Sequence, residues 1–331
     1  MKRCVFILPW FGPLRNYFDL FLRTCSNNNE YDWLLITDQE VRDEPKNVRV
    51  LPMRFEEFAG LVQSKFDFKI ALNKPYKICD FRPAFGYIFE EEIAGYEYWG
   101  HCDCDLLFGR LAPILEPLFD AAYDKIFGAG HMTIYANAPE NNRRFMRKDG
   151  EGISMCRIAC SHEGVFAFDE ATYSRNIHTL FLGQGAKVYG RDLAFNVSTS
   201  YYGLRRVTLN PVSLKWEIEK EKPRAVWLDE SGIAAQYKLA GSDAIRHYAY
   251  IHLQGREMQM VKPNELGERI QILPDRFVNV GAPETGSKIP SGLTTHCSRS
   301  KALVQTLRRT KRRIFNYDDA PHSFDPYAPY L

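Results

Sequence analysis

The chain has 331 residues, 45% of them hydrophobic and 25% charged, the balance of an ordinary globular protein with enough apolar mass for a substantial core. A formal net charge of +2 excludes a protein that binds nucleic acid by bulk electrostatics. Eight cysteines lie scattered without a paired CxxC zinc pattern, and no run approaches the ~20 apolar residues of a membrane span, so the expectation is a cytoplasmic protein with reduced thiols.

In chain order, residues 3–9 (RCVFILP) read as a short buried strand, followed by the loop WFGPLRN. Phe18, Leu22 and Cys25 then recur at helical spacing. Residues 32–37 (DWLLIT) predict a second buried strand ending at Asp38, and 47–53 (NVRVLPM) a third. Strand, helix, strand at this spacing predicts the start of a parallel α/β sheet. Ligands of such sheets bind beyond the carboxyl ends of the strands, where Phe11, Gly12, Asn16 and Asp38 fall. Asp38 also reads as a helix N-cap.

Residues 55–66 predict a helix, and 77–88 another that is entered or interrupted near Pro83. Strands are predicted over 97–102 and 124–128, a polar helix or loop over 136–147, a mixed pattern over 150–200 and a late strand over 248–253. Residues 301–315 (KALVQTLRRTKRRIF) set Leu303, Leu307 and Ile314 near one face and crowd Lys and Arg elsewhere. A basic amphipathic helix of this kind lies on anionic membrane surfaces, or packs on its own domain by its few apolar residues. The remaining residues, 316–331, read as a tail.

The sharpest feature is WGHCDCDLLFG, residues 99–109. An apolar strand ends in Asp103-Cys104-Asp105 and leads into two leucines, a phenylalanine and a glycine. Two carboxylates beside a hydrophobic strand are costly unless a cation neutralises them. A hard divalent ion with oxygen ligands does so, and it can also hold a diphosphate. The plain alternative is a solvated acidic turn. Nucleotidyltransferases and phosphohydrolases use paired aspartates too, but neither a Gly-rich phosphate loop nor a dense carboxylate–histidine cluster is present. A non-catalytic carbohydrate-binding protein is a third reading.

Two stretches, PYKICDFRPAFGYIF (75–89) and GYEYWGHCDCDLLFG (95–109), carry a resemblance. With WFGPLRNYFDLFLRTC, LLITD and IHLQGREM, they resemble a bacterial family of predicted polysaccharide-biosynthesis glycosyltransferases, formerly a domain of unknown function. The resemblance implies a GT-A fold: an α/β, Rossmann-like mixed sheet flanked by helices in a single large domain over 1–260. The nucleotide-binding half would span about 1–130 and the acceptor half about 131–260, with a C-terminal extension over 261–331. It implies Mn²⁺ or Mg²⁺ held by Asp103 and Asp105, with His252 as third ligand; His252 also reads as a satisfied strand histidine. The donor would be a nucleotide sugar, foremost a UDP-sugar, and the acceptor a glycan or lipid-linked glycan. A lipid-linked acceptor would place the protein peripherally on the inner face of the membrane, through 301–315.

Arg256 reads as a phosphate contact or as a surface arginine. Asp80 and Arg82 are expected against the sugar or diphosphate of the donor, and Lys77 either joins them or pairs with Asp80 three residues on. Inverting transfer needs a carboxylate base near the acceptor hydroxyl, for which Glu163, Asp169, Glu170 and Asp192 are candidates. Retaining transfer needs none there.

Overall fold

A computed structural model describes residues 2–171, 173–239, 242–259, 266–280 and 327. The first apolar runs form strands β1 (Cys4–Trp10), β2 (Asp32–Thr37) and β3 (Val48–Pro52), with helix α1 (Phe18–Ser26) between the first two. All three run parallel. Along β1, Cys4, Phe6 and Leu8 enter one core and Val5 and Ile7 the other. Burial of both faces explains why this run is apolar throughout rather than alternating. α1 packs Phe18, Phe21 and Leu22 into the first core, and α2 (Phe55–Ser64) packs Phe58 and Val62 into the second.

Residues Pro75–Ala84 coil as a 3₁₀ segment, and only the next turn, α3 (Phe85–Ile88), is α-helical. Pro83 removes a helical donor and restricts Arg82 before it, which is why the expected helix is entered so late. A fully buried ion pair anchors the segment: Lys77 Nζ donates to Asp80 Oδ2 at 2.7 Å. Lys77 also donates to the carbonyls of Ala159 (2.6 Å) and Gly164, while Asp80 accepts the amides of Phe166 (3.0 Å) and Phe168 (2.9 Å). One pair thereby holds the 75–84 segment against the loop at 164–168.

β4 (Tyr98–Cys102) joins β1 in parallel. The chain then leaves this sheet, and β5 (Leu106–Phe108) belongs to another. After α4 (Ala112–Asp120), β6 (Lys125–Ile126) and β7 (Met132–Ala136) return; β7 lies antiparallel to β4 and β6 antiparallel to β7. Short helices α5 (Pro139–Arg143), α6 (Met155–Ser161) and α7 (Ile177–Gly183) cover the second core, and β8 (Val188–Tyr189) completes a seven-stranded sheet of order β3-β2-β1-β4-β7-β6-β8. This is the mixed α/β sheet flanked by helices that the sequence leads one to expect.

Two further sheets follow. β9 (Ala194–Val197), β10 (Arg206–Leu209) and β11 (Trp216–Ile218) precede the β12 (Ala225–Asp229), β13 (Gly232–Leu239) and β14 (Ser242–Tyr248) meander, then β15 (Tyr250–His252), β16 (Ile270–Ile272) and β17 (Phe277–Asn279). The second sheet has the order β11-β10-β9-β15-β5 and the third β14-β13-β12-β16-β17. β16 and β17 thus complete a sheet beyond the expected boundary at residue 260. Tyr327 is fully buried, its ring 5.0 Å from that of Phe166. The basic segment 301–315 lies outside the described residues, and among those described no helix is long and apolar enough to cross a membrane.

Asp80→Ala would leave the Lys77 ammonium buried without its counter-charge and two loop amides without an acceptor. The expected loss is about 3–5 kcal/mol of unfolding free energy, read by urea denaturation. A loss below about 1 kcal/mol would count against the anchoring role.

Candidate active site

A cleft of about 630 Å³ opens where β1 and β4 end. Its floor comes from a switch of sheets. Asp103 and Asp105 lie between β4 of the first sheet and β5 of the second. Cys102, Cys104 and Leu106 alternate into the core, which turns the two carboxylates to the cleft side. The amide of Asp103 donates to His131 O at 3.0 Å, and that of Leu253 to Asp105 O at 3.1 Å.

Strand register supplies the third group. β15 pairs antiparallel with β5 and parallel with β9, setting His252 opposite both Leu106 and Asn196. Ligand-capable atoms of Asp103, Asp105 and His252 all lie within 4.8 Å of one another. His252 Nδ1 is 3.0 Å from Asn196 Oδ1, which also accepts from Gln254 Nε2 at 2.7 Å. A carboxamide oxygen only accepts, so Nδ1 carries the proton and Nε2 faces Asp105 Oδ1 at 3.3 Å.

That arrangement fits a cation. In the neutral ring Nε2 presents a lone pair to a carboxylate oxygen, and the contact is favourable only with a proton or a metal ion between them. Asp105 Oδ1 is buried and has no hydrogen-bond donor aligned on it among the described residues. Two carboxylate oxygens and one imidazole nitrogen form a donor set that can hold a divalent cation.

Burial strains this charge cluster, and neighbours decide which group yields. Burial alone would raise Asp105, but His252 and the Gly255 amide (2.6 Å) outweigh it and hold its carboxyl down to about 2. Burial raises Asp103 above the usual carboxylate range, against the pull of Arg82 and with the repulsion of Asp105. Burial opposes the His252 imidazolium, yet Asp105 prevails and raises its pKa. His131, its ring tilted 42° to that of His252 at 4.5 Å, is driven well below the usual histidine value by burial and by that neighbour; its Nδ1 meets the Tyr250 hydroxyl at 3.0 Å.

Arg82 bridges the cleft. It donates to Asp103 Oδ1, to Asp169 Oδ2 at 2.9 Å and to Gly130 O at 2.8 Å. Burial pushes the Asp169 carboxyl up to about 8 despite this partner. Phe11, Arg82, Asp103, Asp105, Asp169 and His252 therefore all line one cavity.

Other expected residues sit elsewhere. Lys77 and Asp80 do not line the cleft; they form a buried pair whose carboxylate also accepts the amides of Phe166 and Phe168. Arg256 does not line the cleft; it donates to the carbonyls of Ser198, Tyr201, Tyr202 and Pro274. Asp192 does not line the cleft and accepts the loop amides of Ala194 (2.9 Å) and Leu209 (3.0 Å). Glu163 is exposed and does not line the cavity. Asn16 donates to Met258 O at 2.5 Å, and Asp38 accepts the Gly12 amide at 3.1 Å, so the β1–α1 loop is braced by residues expected to touch nucleotide.

The structure adds groups that the sequence reading passed over. Asn196 had no signal, since only the pairing of β9 with β15 brings it to His252. Arg15 stood in the loop WFGPLRN and was legible as its one cation. Trp10, Tyr76 and Trp216 give the cleft aromatic walls.

Several solved glycosyltransferase structures share limited likeness with this chain. One is the galactosyltransferase LgtC in complex with donor and acceptor sugar analogs, at 12% identity and a TM-score of 0.32, covering 59% of this chain and 75% of that one. A second is mouse xyloside xylosyltransferase 1 in its apo form, at 8% identity and 0.36, covering 60% and 88%. A third is the apo form of the glycosyltransferase GlyE of Streptococcus pneumoniae TIGR4, at 11% identity and 0.26, covering 43% and 35%. No curated protein matches the sequence. Residues 6–280 match the model of a family of unknown function, DUF6625, and the chain belongs to that family.

Proposed function

We propose that the chain is a metal-dependent glycosyltransferase of GT-A type. It would move a hexosyl unit from a nucleoside-diphosphate sugar, UDP-sugars foremost, to a hydroxyl of a glycan or lipid-linked acceptor in bacterial surface-polysaccharide synthesis. The observation that carries this reading is the convergence of Asp103, Asp105 and His252 on one point of a cleft at the carboxyl ends of parallel strands. These three residues would hold Mn²⁺ or Mg²⁺. Bound there, the ion offsets the charge that grows on the leaving diphosphate.

The chain's own groups do the rest. Asn196 keeps the His252 proton on Nδ1, so that Nε2 is the atom offered to the site. Arg82 holds Asp103 and Asp169 in a fixed relation across the cleft. Of the base candidates Glu163, Asp169, Glu170 and Asp192, Asp169 and Glu170 line the cavity, and we assign the acceptor proton to Asp169, which Arg82 holds across the cleft from Asp103. Trp216 and Tyr76 offer flat apolar faces on which a sugar ring or base can stack.

Thermal stabilisation by UDP should require Mn²⁺ in the wild type and vanish in Asp103→Asn and Asp105→Asn. Stabilisation that survives both substitutions would sink the metal site. Incubation of UDP-sugars without acceptor separates transfer from hydrolysis, and rapid donor breakdown with no transfer to any added glycan would favour a phosphohydrolase.

Mn²⁺ affinity should fall as pH falls through the raised pKa of His252, by about tenfold per pH unit, because Nε2 must shed its proton to bind. Above that pKa the ring is neutral and the affinity levels off. A flat profile between pH 5 and 8 would remove His252 from the ligand set. Asp169→Asn should lower transfer by about 10²–10⁴-fold while Mn²⁺ binding stays within a few-fold of wild type. Unchanged turnover would show that the reaction needs no carboxylate there.

A further inference from the structure

Arg15 differs from the other cations around the cleft. Arg82 is bound by two carboxylates, and Arg256 by four carbonyls. Arg15 also lines the cleft, but among the described residues no carboxylate or carbonyl accepts a hydrogen bond from its guanidinium, and its Nε is buried without a partner. Its guanidinium carbon lies 5.7 Å from the Trp10 ring centroid, at the end of β1. On another side it abuts Gly255: a Cβ there would come within 2.7 Å of Nη2. Gly255 has φ +63° and its amide donates to Asp105 Oδ2 at 2.6 Å, so guanidinium, glycine and carboxylate are successive neighbours.

The guanidinium thus stands beside the carboxylate–histidine group, oriented by an indole and a glycine that a side chain would displace. A partly buried guanidinium with unused donors is unfavourable until an anion arrives. Its planar fork matches phosphate oxygens. Asp103 and Asp169 pair directly with Arg82 and Asp105 faces His252, while Arg15 acts on Asp105 without a hydrogen bond to it, so its donors remain for a ligand.

We infer that Arg15 is an anion-binding residue that takes the phosphate oxygens of a metal-held diphosphate, the leaving half of a nucleoside-diphosphate sugar. The inference rests on the metal-dependent reading given above and adds a residue and a contact to it. Gly255 serves it indirectly: its missing side chain is the space the guanidinium occupies.

The test is calorimetric titration of inorganic pyrophosphate, and in parallel UDP, into the full chain with Mn²⁺ present, for wild type, Arg15→Gln and Arg15→Lys. Arg15→Gln should weaken both ligands at least about tenfold, since it removes a charge-assisted contact. Mn²⁺ alone should bind Arg15→Gln as tightly as wild type or tighter, because a cation near Asp105 has gone; this also reports that the variant is folded. Arg15→Lys should fall between the two, keeping charge without the fork. Unchanged binding of both ligands by Arg15→Gln overturns the assignment and leaves the metal-dependent reading intact. Weakened UDP with unchanged pyrophosphate overturns it as well, because the residue would then read the nucleoside. Loss of Mn²⁺ binding in Arg15→Gln with Arg15→Lys normal would overturn it too, the side chain acting through Asp105. A wild-type chain that binds neither ligand with Mn²⁺ overturns this inference and the function proposed above together.

Discussion

Everything at the cleft depends on the register of β15 between β5 and β9. His252 sits opposite Leu106 on one side and Asn196 on the other, so a single pairing sets both the distance to Asp105 and the imidazole's proton. Side chains alternate along a strand with period two, and a slip of one residue would turn His252 to the opposite face of the sheet. The same periodicity governs the carboxylates. Cys102, Cys104 and Leu106 are drawn into the core, and Asp103 and Asp105 are left together on the other side. The chain's passage from one sheet to the other at this point places the pair at an open end rather than within a continuous strand.

A cluster of this kind is electrostatically unbalanced as it stands. Asp103, half-buried, and Asp105, buried, are separated by one residue, yet one carboxyl is raised and the other lowered. Asp105 has an imidazole and a backbone amide directed at it, whereas Asp103 has Arg82 and must bear the repulsion of its neighbour. Asp169 shares Arg82 and still rises, because burial outweighs half a guanidinium. Sites with titratable groups pushed apart in this way favour the arrival of a charged ligand over further internal pairing. The polar groups that do pair completely, Lys77 with Asp80 and Arg256 with its four carbonyls, have become framework instead.

The parallel strands of the first sheet were legible because burial on both faces makes them short continuous apolar runs, as in Val5–Leu8 and Trp33–Ile36. The strands between residues 206 and 248 were not. β10 and β11 are short, and β14 alternates exposed Asp243, Ile245 and His247 with partly buried residues, without the apolar face of a half-buried strand. A helix was expected over 77–88, but residues 75–84 coil as 3₁₀, because Pro83 and the Asp80 acceptor for distant amides override local preference. Asp103 and Asp105 could be read from strand context, and Arg82 and Asp169 from chemistry. Asp192, Glu163 and Arg256 could not be told apart from them, since residue type alone does not say which way a side chain points.

The amino-acid sequence by itself determined the α/β class, the apolar strands that open the sheet and the carboxylate pair at the end of one of them. Those are local matters: hydrophobic periodicity and the cost of burying charge are written in neighbouring residues. Tertiary structure alone decided that Asn196 meets His252, that Arg82 joins Asp103 to Asp169, that Lys77 and Asp80 face inward, and that Arg15 lies against Gly255. Each of these contacts joins segments brought together by strand order and register or by loop packing. Such pairings are fixed by the packing of the whole chain and leave no trace in the spacing of residues along it.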